Sequence, residues 1–109
     1  MAALAEAAAR NEGATRGFSV SSGRITTGDW FVNDAATRDA ITARTGADLV
    51  EMEGAAIAYV AQQYGTPWIV IRSVSDAGDG NAAPSFNEYL ALASNNAAAI
   101  VRAILPLLP

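Results

Sequence analysis

Residues 68–75 read WIVIRSVS, a nearly continuous apolar run bounded by Pro67 and the polar stretch DAGDGNAAP. Without alternation of apolar and polar residues, this is the pattern of a strand covered on both faces. A chain that holds such a strand must surround it with more sheet and with helices on either side. Hydrophobic residues are 51% of the 109, enough for a sizeable core.

The rest of the chain supplies matching pieces. MAALAEAAARNEG predicts a helix that stops at Asn11 to Gly13. It has no capping residue before it, as expected of a helix whose beginning lies elsewhere. TRGFSVSSGRITTGD predicts extended structure with a bend or bulge near Ser21 to Gly23. Asn33 or Asp34 can cap a helix through Arg44, ended by Gly46. Asp48 to Met52 reads as a short strand, and Gly54 to Tyr64 as a helix with Gly65 as its left-handed stop. Ser85-Phe86-Asn87-Glu88 is a capping-box pattern at the head of a long amphipathic helix. Its stripe runs Phe86, Tyr89, Leu90, Ala93, Ala97, Ile100, Val101, Ile104, and Pro106 ends it. The order of elements is that of an α/β fold. Strands buried on both sides need more sheet than 109 residues provide, so a C-terminal portion of a larger domain is expected rather than a small complete one.

The composition narrows the chemistry. There is no cysteine and no histidine, which removes disulfides, thiolate nucleophiles, Ser-His-Asp catalysis and the usual zinc ligand sets. All seven cations are arginines, scattered along a chain of net charge −4. A nucleic-acid-binding face is therefore not expected. No uninterrupted apolar run approaches the roughly 20 residues that span a bilayer, and no targeting segment is evident. A cytoplasmic protein without membrane contact is expected.

Ligands of open α/β sheets sit beyond the carboxyl ends of the strands. Polar groups mark three such ends here: Gly28-Asp29 after ITT, Glu51-Met52-Glu53 after LV, and Ser75-Asp76 after IVIRSV. Glu51 could simply complement the dipole of the following helix, and a Ser-Asp pair could be a turn or cap. Taken together, the three ends point to one crevice. Arg72 lies mid-strand, where a buried cation needs a partner, and Glu51 or Glu53 can supply it.

The blocks GRITTGDWFVND, VEMEGAAIAYVA, WIVIRSVSDAGD and SFNEYLALASNNAAAIV, in this order and spacing, resemble the C-terminal half of the methylthioadenosine/S-adenosylhomocysteine nucleosidases, of the nucleoside phosphorylase superfamily. The resemblance runs from about Gly23 to the end. It implies an α/β chain forming the C-terminal part of a three-layer α/β/α fold with a mixed central sheet. All of residues 1–109 would then belong to one domain whose N-terminal part is absent.

The resemblance also implies residue roles. Glu53 would bind the ribose hydroxyls, with Met52 packed under the sugar; a carboxylate can accept from both hydroxyls of a diol. Glu51 is expected to face away from Glu53 and to serve the scaffold, paired with an arginine. Asp76 would be the general acid that protonates the purine at N7 as the glycosidic bond breaks, with Ser75 holding it. Phe31 would stack on the base and Val32 would recognise it through its backbone. Phe86 would close the pocket. The implied ligand is a small purine nucleoside, with no cofactor and no metal, and the full-length form is expected to be a homodimer. The family's water-activating glutamate lies upstream of the matched region, so this chain taken alone is expected to be inactive. Hydrolysis, phosphorolysis on the same fold and a non-catalytic binding relative are the three readings. SDAGD after IRSV favours the first, and the presence of both Glu53 and Asp76 argues against the last.

Overall fold

The computed structural model describes residues 1–75, 77, 78, 80 and 82–109, the side chains of residues 82–86 excepted. The elements run α1 (Ala2–Arg16), β1 (Ile25–Thr27), α2 (Ala35–Thr45), β2 (Leu49–Glu51), α3 (Gly54–Gln63) and α4 (Ala82–Ile104), which a short 3-10 turn (Leu105–Leu107) follows. β1 and β2 pair in parallel with Ile25 opposite Leu49, Thr26 opposite Val50 and Thr27 opposite Glu51. The chain is thus α/β, as the sequence implies, but the sheet among the described residues has two strands, both parallel.

The missing third strand is the main departure. Trp68–Ser75 belongs to no ladder. Its residues have every propensity for a strand, yet a strand exists only where a neighbour pairs with it. The stretch is half-buried at Val70, Ile71, Ser73 and Ser75 and exposed at Trp68, Ile69 and Val74.

Helix ends follow local chemistry. α2 begins where Asp34 accepts from the Thr37 amide at 2.7 Å, and stops at Gly46, whose φ is +65°. α1 runs past the expected stop at Gly13 and ends at Gly17, φ +82°. Gly13 has a different duty. The chain folds back so closely that a Cβ there would lie 2.5 Å from the Phe18 carbonyl oxygen, and its own carbonyl accepts from the amides of Gly17 and Phe18. α4 starts at Ala82, so Ser85 lies in its first turn and is not its cap. Pro84 fits that turn, where a missing N–H costs nothing.

α1 packs against α4 through Ala5, Ala8, Ala9, Ile100 and Ile104, with Phe18, Val20, Ile71 and Ala103 around them. The buried face of α4 is therefore Ala99, Ile100 and Ile104, and the Tyr89, Leu90 and Val101 part of the expected stripe stays exposed. Residues Asn87–Leu107 are long and apolar enough to cross a membrane, with mean hydropathy 1.4. Here that apolar surface is partly spent on α1. Leu92, Ala93 and Ile100 line a groove of about 1280 Å³, which also touches α1, β1, α3 and residues 68–74. The core is thin: no large side chain among the described residues is fully buried. The radius of gyration, 14.7 Å, exceeds the roughly 13 Å of a compact domain of this length.

Gly13→Ala should destabilise the chain by about 1–3 kcal/mol, because the turn at Phe18 must shift to admit a methyl group. Urea unfolding followed by circular dichroism measures this, and Gly23→Ala should also cost stability, since its Cβ would meet the Asp48 carboxylate at 2.7 Å.

Candidate functional site

The parallel register brings the carboxyl ends of β1 and β2 level, and the Gly28 amide donates to the Glu51 carbonyl at 3.1 Å. Gly28-Asp29 and Met52-Glu53 therefore leave the sheet side by side. At this end Glu51 is buried, with 6% of its side chain exposed. Its carboxylate accepts from the amides of Glu53 (3.0 Å) and Gly54 (2.6 Å), from the Thr27 hydroxyl and from the Arg72 guanidinium. Thr27 in turn accepts from the Ala55 amide at 2.9 Å. Strand ends and the first turn of α3 are thereby joined through one carboxylate. Burial alone would raise the Glu51 carboxyl above its ordinary range. The hydrogen bonds from Thr27, Glu53, Arg72 and Gly54 outweigh it and hold the pKa at about 2.

Glu53 occupies the N-cap position of α3 but makes no capping bond; Glu51 accepts from the Glu53 and Gly54 amides and Thr27 from the Ala55 amide. Its side chain is 64% exposed and pairs with Arg72. Hydrogen bonds to Glu53 and Glu51 raise the Arg72 pKa above its ordinary value, against the opposing effect of burial. The expectation that the two glutamates face apart fails. Residues two apart on an extended chain return to the same face, and both reach Arg72. Burial, rather than direction, separates their duties.

Residues 68–75, expected as a third strand, are joined to the two strand ends by side chains. Arg72 ties residues 68–75 to Glu51 and Glu53. Beyond Ser75, Arg38 on α2 donates to the Ala77 carbonyl at 3.1 Å. Gly78, φ +62°, lies beside Val32: a Cβ there would stand in ordinary contact, 3.4 Å from the Val32 carbonyl oxygen. The segment carrying Val32 and the residues that follow Asp76 are thus in contact. Asp76 lies outside the described residues, as does the Phe86 side chain.

Phe31 and Met52 are exposed and Val32 and Ser75 half-buried. Phe31, Met52 and Glu53 sit outside the described lining of the large groove, whereas Thr27, Gly54 and Arg72 are part of it. Thr27 and Arg38 were not anticipated. A threonine just before Gly28 gave a signal for the first only once the strand register is known, and nothing in the sequence marks the second.

A family profile described as the Phosphorylase superfamily matches residues 1–106. A 5'-methylthioadenosine/S-adenosylhomocysteine nucleosidase from Exiguobacterium sp. is 44% identical over 86 residues, covering 78% of this chain and 37% of that protein. One of the same name from Actinobacillus succinogenes is 39% identical over 106 residues, covering 96% and 44%. The crystal structure of the Helicobacter pylori nucleosidase of this name with butyl-thio-DADMe-Immucillin-A superposes with a TM-score of 0.84 at 32% identity. It covers 95% of this chain and 45% of that one. The chain spans less than half the length of these relatives.

Glu51→Gln should cost on the order of 3 kcal/mol, since it leaves Arg72 without its buried partner. The wild-type contribution is complete above the ordinary carboxyl pKa of 4.5 and is lost as pH falls toward about 2. Urea midpoints measured between those pH values should fall for the wild type and fall less for the variant.

Proposed function

The chain belongs to the phosphorylase superfamily, and on that premise we propose that it carries the sugar-binding and leaving-group side of a purine nucleosidase of the methylthioadenosine/S-adenosylhomocysteine type. The observation that supports this most is the unequal pair of glutamates. Glu51 is consumed by the scaffold, while Glu53, two residues on at the N-cap of α3, is exposed and paired with Arg72. An ionised carboxylate in that position can accept from two vicinal hydroxyls. Met52 beside it offers an apolar, polarisable surface to the sugar.

Phe31 stacks on the base in this reading, and the Val32 backbone recognises its edge. Asp76 gives a proton to N7 as the bond from the base to the sugar breaks, so that adenine leaves neutral. Such a donor must hold its proton at working pH, which burial and a neighbouring carboxylate favour. Ser75 positions it. The electrons of the broken bond stay on the base, and water attacks the oxocarbenium-like sugar carbon. No carboxylate for activating that water is assigned among these residues, so the chain by itself is expected to turn over negligibly. The names of the relatives favour water over phosphate as the nucleophile. A homodimer and a cytoplasmic location complete the proposal.

Adenine release from methylthioadenosine should proceed in an active assembly without inorganic phosphate. In the same assembly Asp76→Asn should lower the rate about 10²–10⁴-fold, the usual contribution of a general acid, while nucleoside binding changes little. Strict dependence on phosphate would make it a phosphorylase, and full activity of Asp76→Asn would remove the residue from proton donation.

A further inference from the structure

Two segments of the proposed site meet on one side chain of α2. Asp34 caps that helix, accepting from the Thr37 amide at 2.7 Å, and the Arg38 amide donates to the Asp34 carbonyl at 3.1 Å. Val32 lies just before the cap, so the cap and one helical turn are all that separate it from Arg38. The half-buried Arg38 guanidinium has two anchors. Its Nε donates to the Asp39 carboxylate at 2.9 Å, and its Nη1 donates to the Ala77 carbonyl at 3.1 Å. A guanidinium is planar, so two contacts through different nitrogens fix its direction. The exposed pair with Asp39 contributes little by itself; the bond to Ala77 is what ties α2 to the distant segment. The arginine stem shares in the contact. A Cβ on Gly78 would lie 3.4 Å from the Val32 carbonyl oxygen and 3.8 Å from Arg38 Cδ. Val32, Arg38, Ala77 and Gly78 thus form one group.

We infer that Arg38 is a positioning residue for the nucleosidase reaction, registering residues 77 and 78 against Val32 so that proton donor and base edge keep a fixed separation. The inference rests on the nucleosidase reading above. There the Val32 backbone recognises the base, and Asp76, the residue before Ala77, gives its proton to N7. A donor must come within roughly 2.6–3.2 Å of its acceptor. Neighbouring Cα atoms are about 3.8 Å apart across a trans peptide, so a hold on the Ala77 carbonyl restricts where the Asp76 carboxyl can stand. Arg38 has no contact with substrate in this reading; it acts through the segment it holds. Arginine suits the task because it stays charged at any working pH. The clamp therefore does not titrate where the donor does. Gly78, with φ +62°, lets the chain turn beside the clamp in a conformation that other residues rarely adopt.

The first arm of the test uses this chain itself. In proton–nitrogen correlation spectra, Arg38→Met should move the Ala77 and Gly78 amide signals while circular dichroism stays parental, because methionine is as good a helix former. An arginine merely solvated on a helix face would leave signals 39 residues away unmoved. The second arm uses the active assembly of the Asp76 test and compares two leaving groups. In Arg38→Met, kcat for adenine release from methylthioadenosine should fall about ten- to a hundredfold, with KM changed less than about threefold. Arg38→Lys keeps a donor for the carbonyl and should fall between parent and Arg38→Met. The nitrophenyl riboside with the same methylthio group releases a stable phenolate that needs no proton, so its kcat should change far less. Unmoved Ala77 and Gly78 signals overturn the inference. An equal loss on both substrates also overturns it, since that marks general damage. So does parental adenine release by Arg38→Met beside a slow Asp76→Asn. Full activity of Asp76→Asn instead overturns the proton donor of the nucleosidase reading, and this inference with it.

Discussion

One buried carboxylate organises the functional end of this chain. Glu51 takes hydrogen bonds from a strand hydroxyl, two helix amides and a guanidinium. These donors come from three segments, so the group fixes β1, the start of α3 and residues 68–75 relative to β2. The cost of burying its charge is met because the donors are already in place. Gly54 completes the arrangement, since a Cβ there would press on the Glu51 carboxylate at 3.0–3.1 Å. The glycine that opens α3 thus makes room for the group that caps it.

What the sequence revealed depended on range. Local signals read well: Asp34 caps α2, Gly46 and Gly65 adopt positive φ, and Arg72 finds the glutamates. Signals that needed tertiary knowledge read poorly. Gly13 resembles a helix stop, but its smallness serves a close approach by the returning chain. Ser85 resembles a cap, yet the helix begins a turn earlier, over a proline. Residues 68–75 have strand chemistry but join no ladder among the described residues, because pairing is a property of two segments.

The candidate site divides in the same way. Residue types at the strand ends were legible because ligand chemistry requires them. The separation of Glu51 from Glu53 by burial was not, because a two-residue spacing places both on one face and only the surrounding donors distinguish them. Arg38 was invisible for a similar reason. Its contact is with a backbone carbonyl 39 residues away, and carbonyls leave no mark in a sequence.

That contact has a consequence for how such a site can change over evolutionary time. The turn after Asp76 is seated through main-chain atoms, the Ala77 carbonyl under Arg38 and Gly78 against the Val32 carbonyl. Main-chain anchors tolerate replacement of the side chains around them. Side chains placed next to Ala77 and Gly78 are therefore not what holds this stretch against Arg38 and Val32; Arg38 and the backbone freedom of Gly78 are.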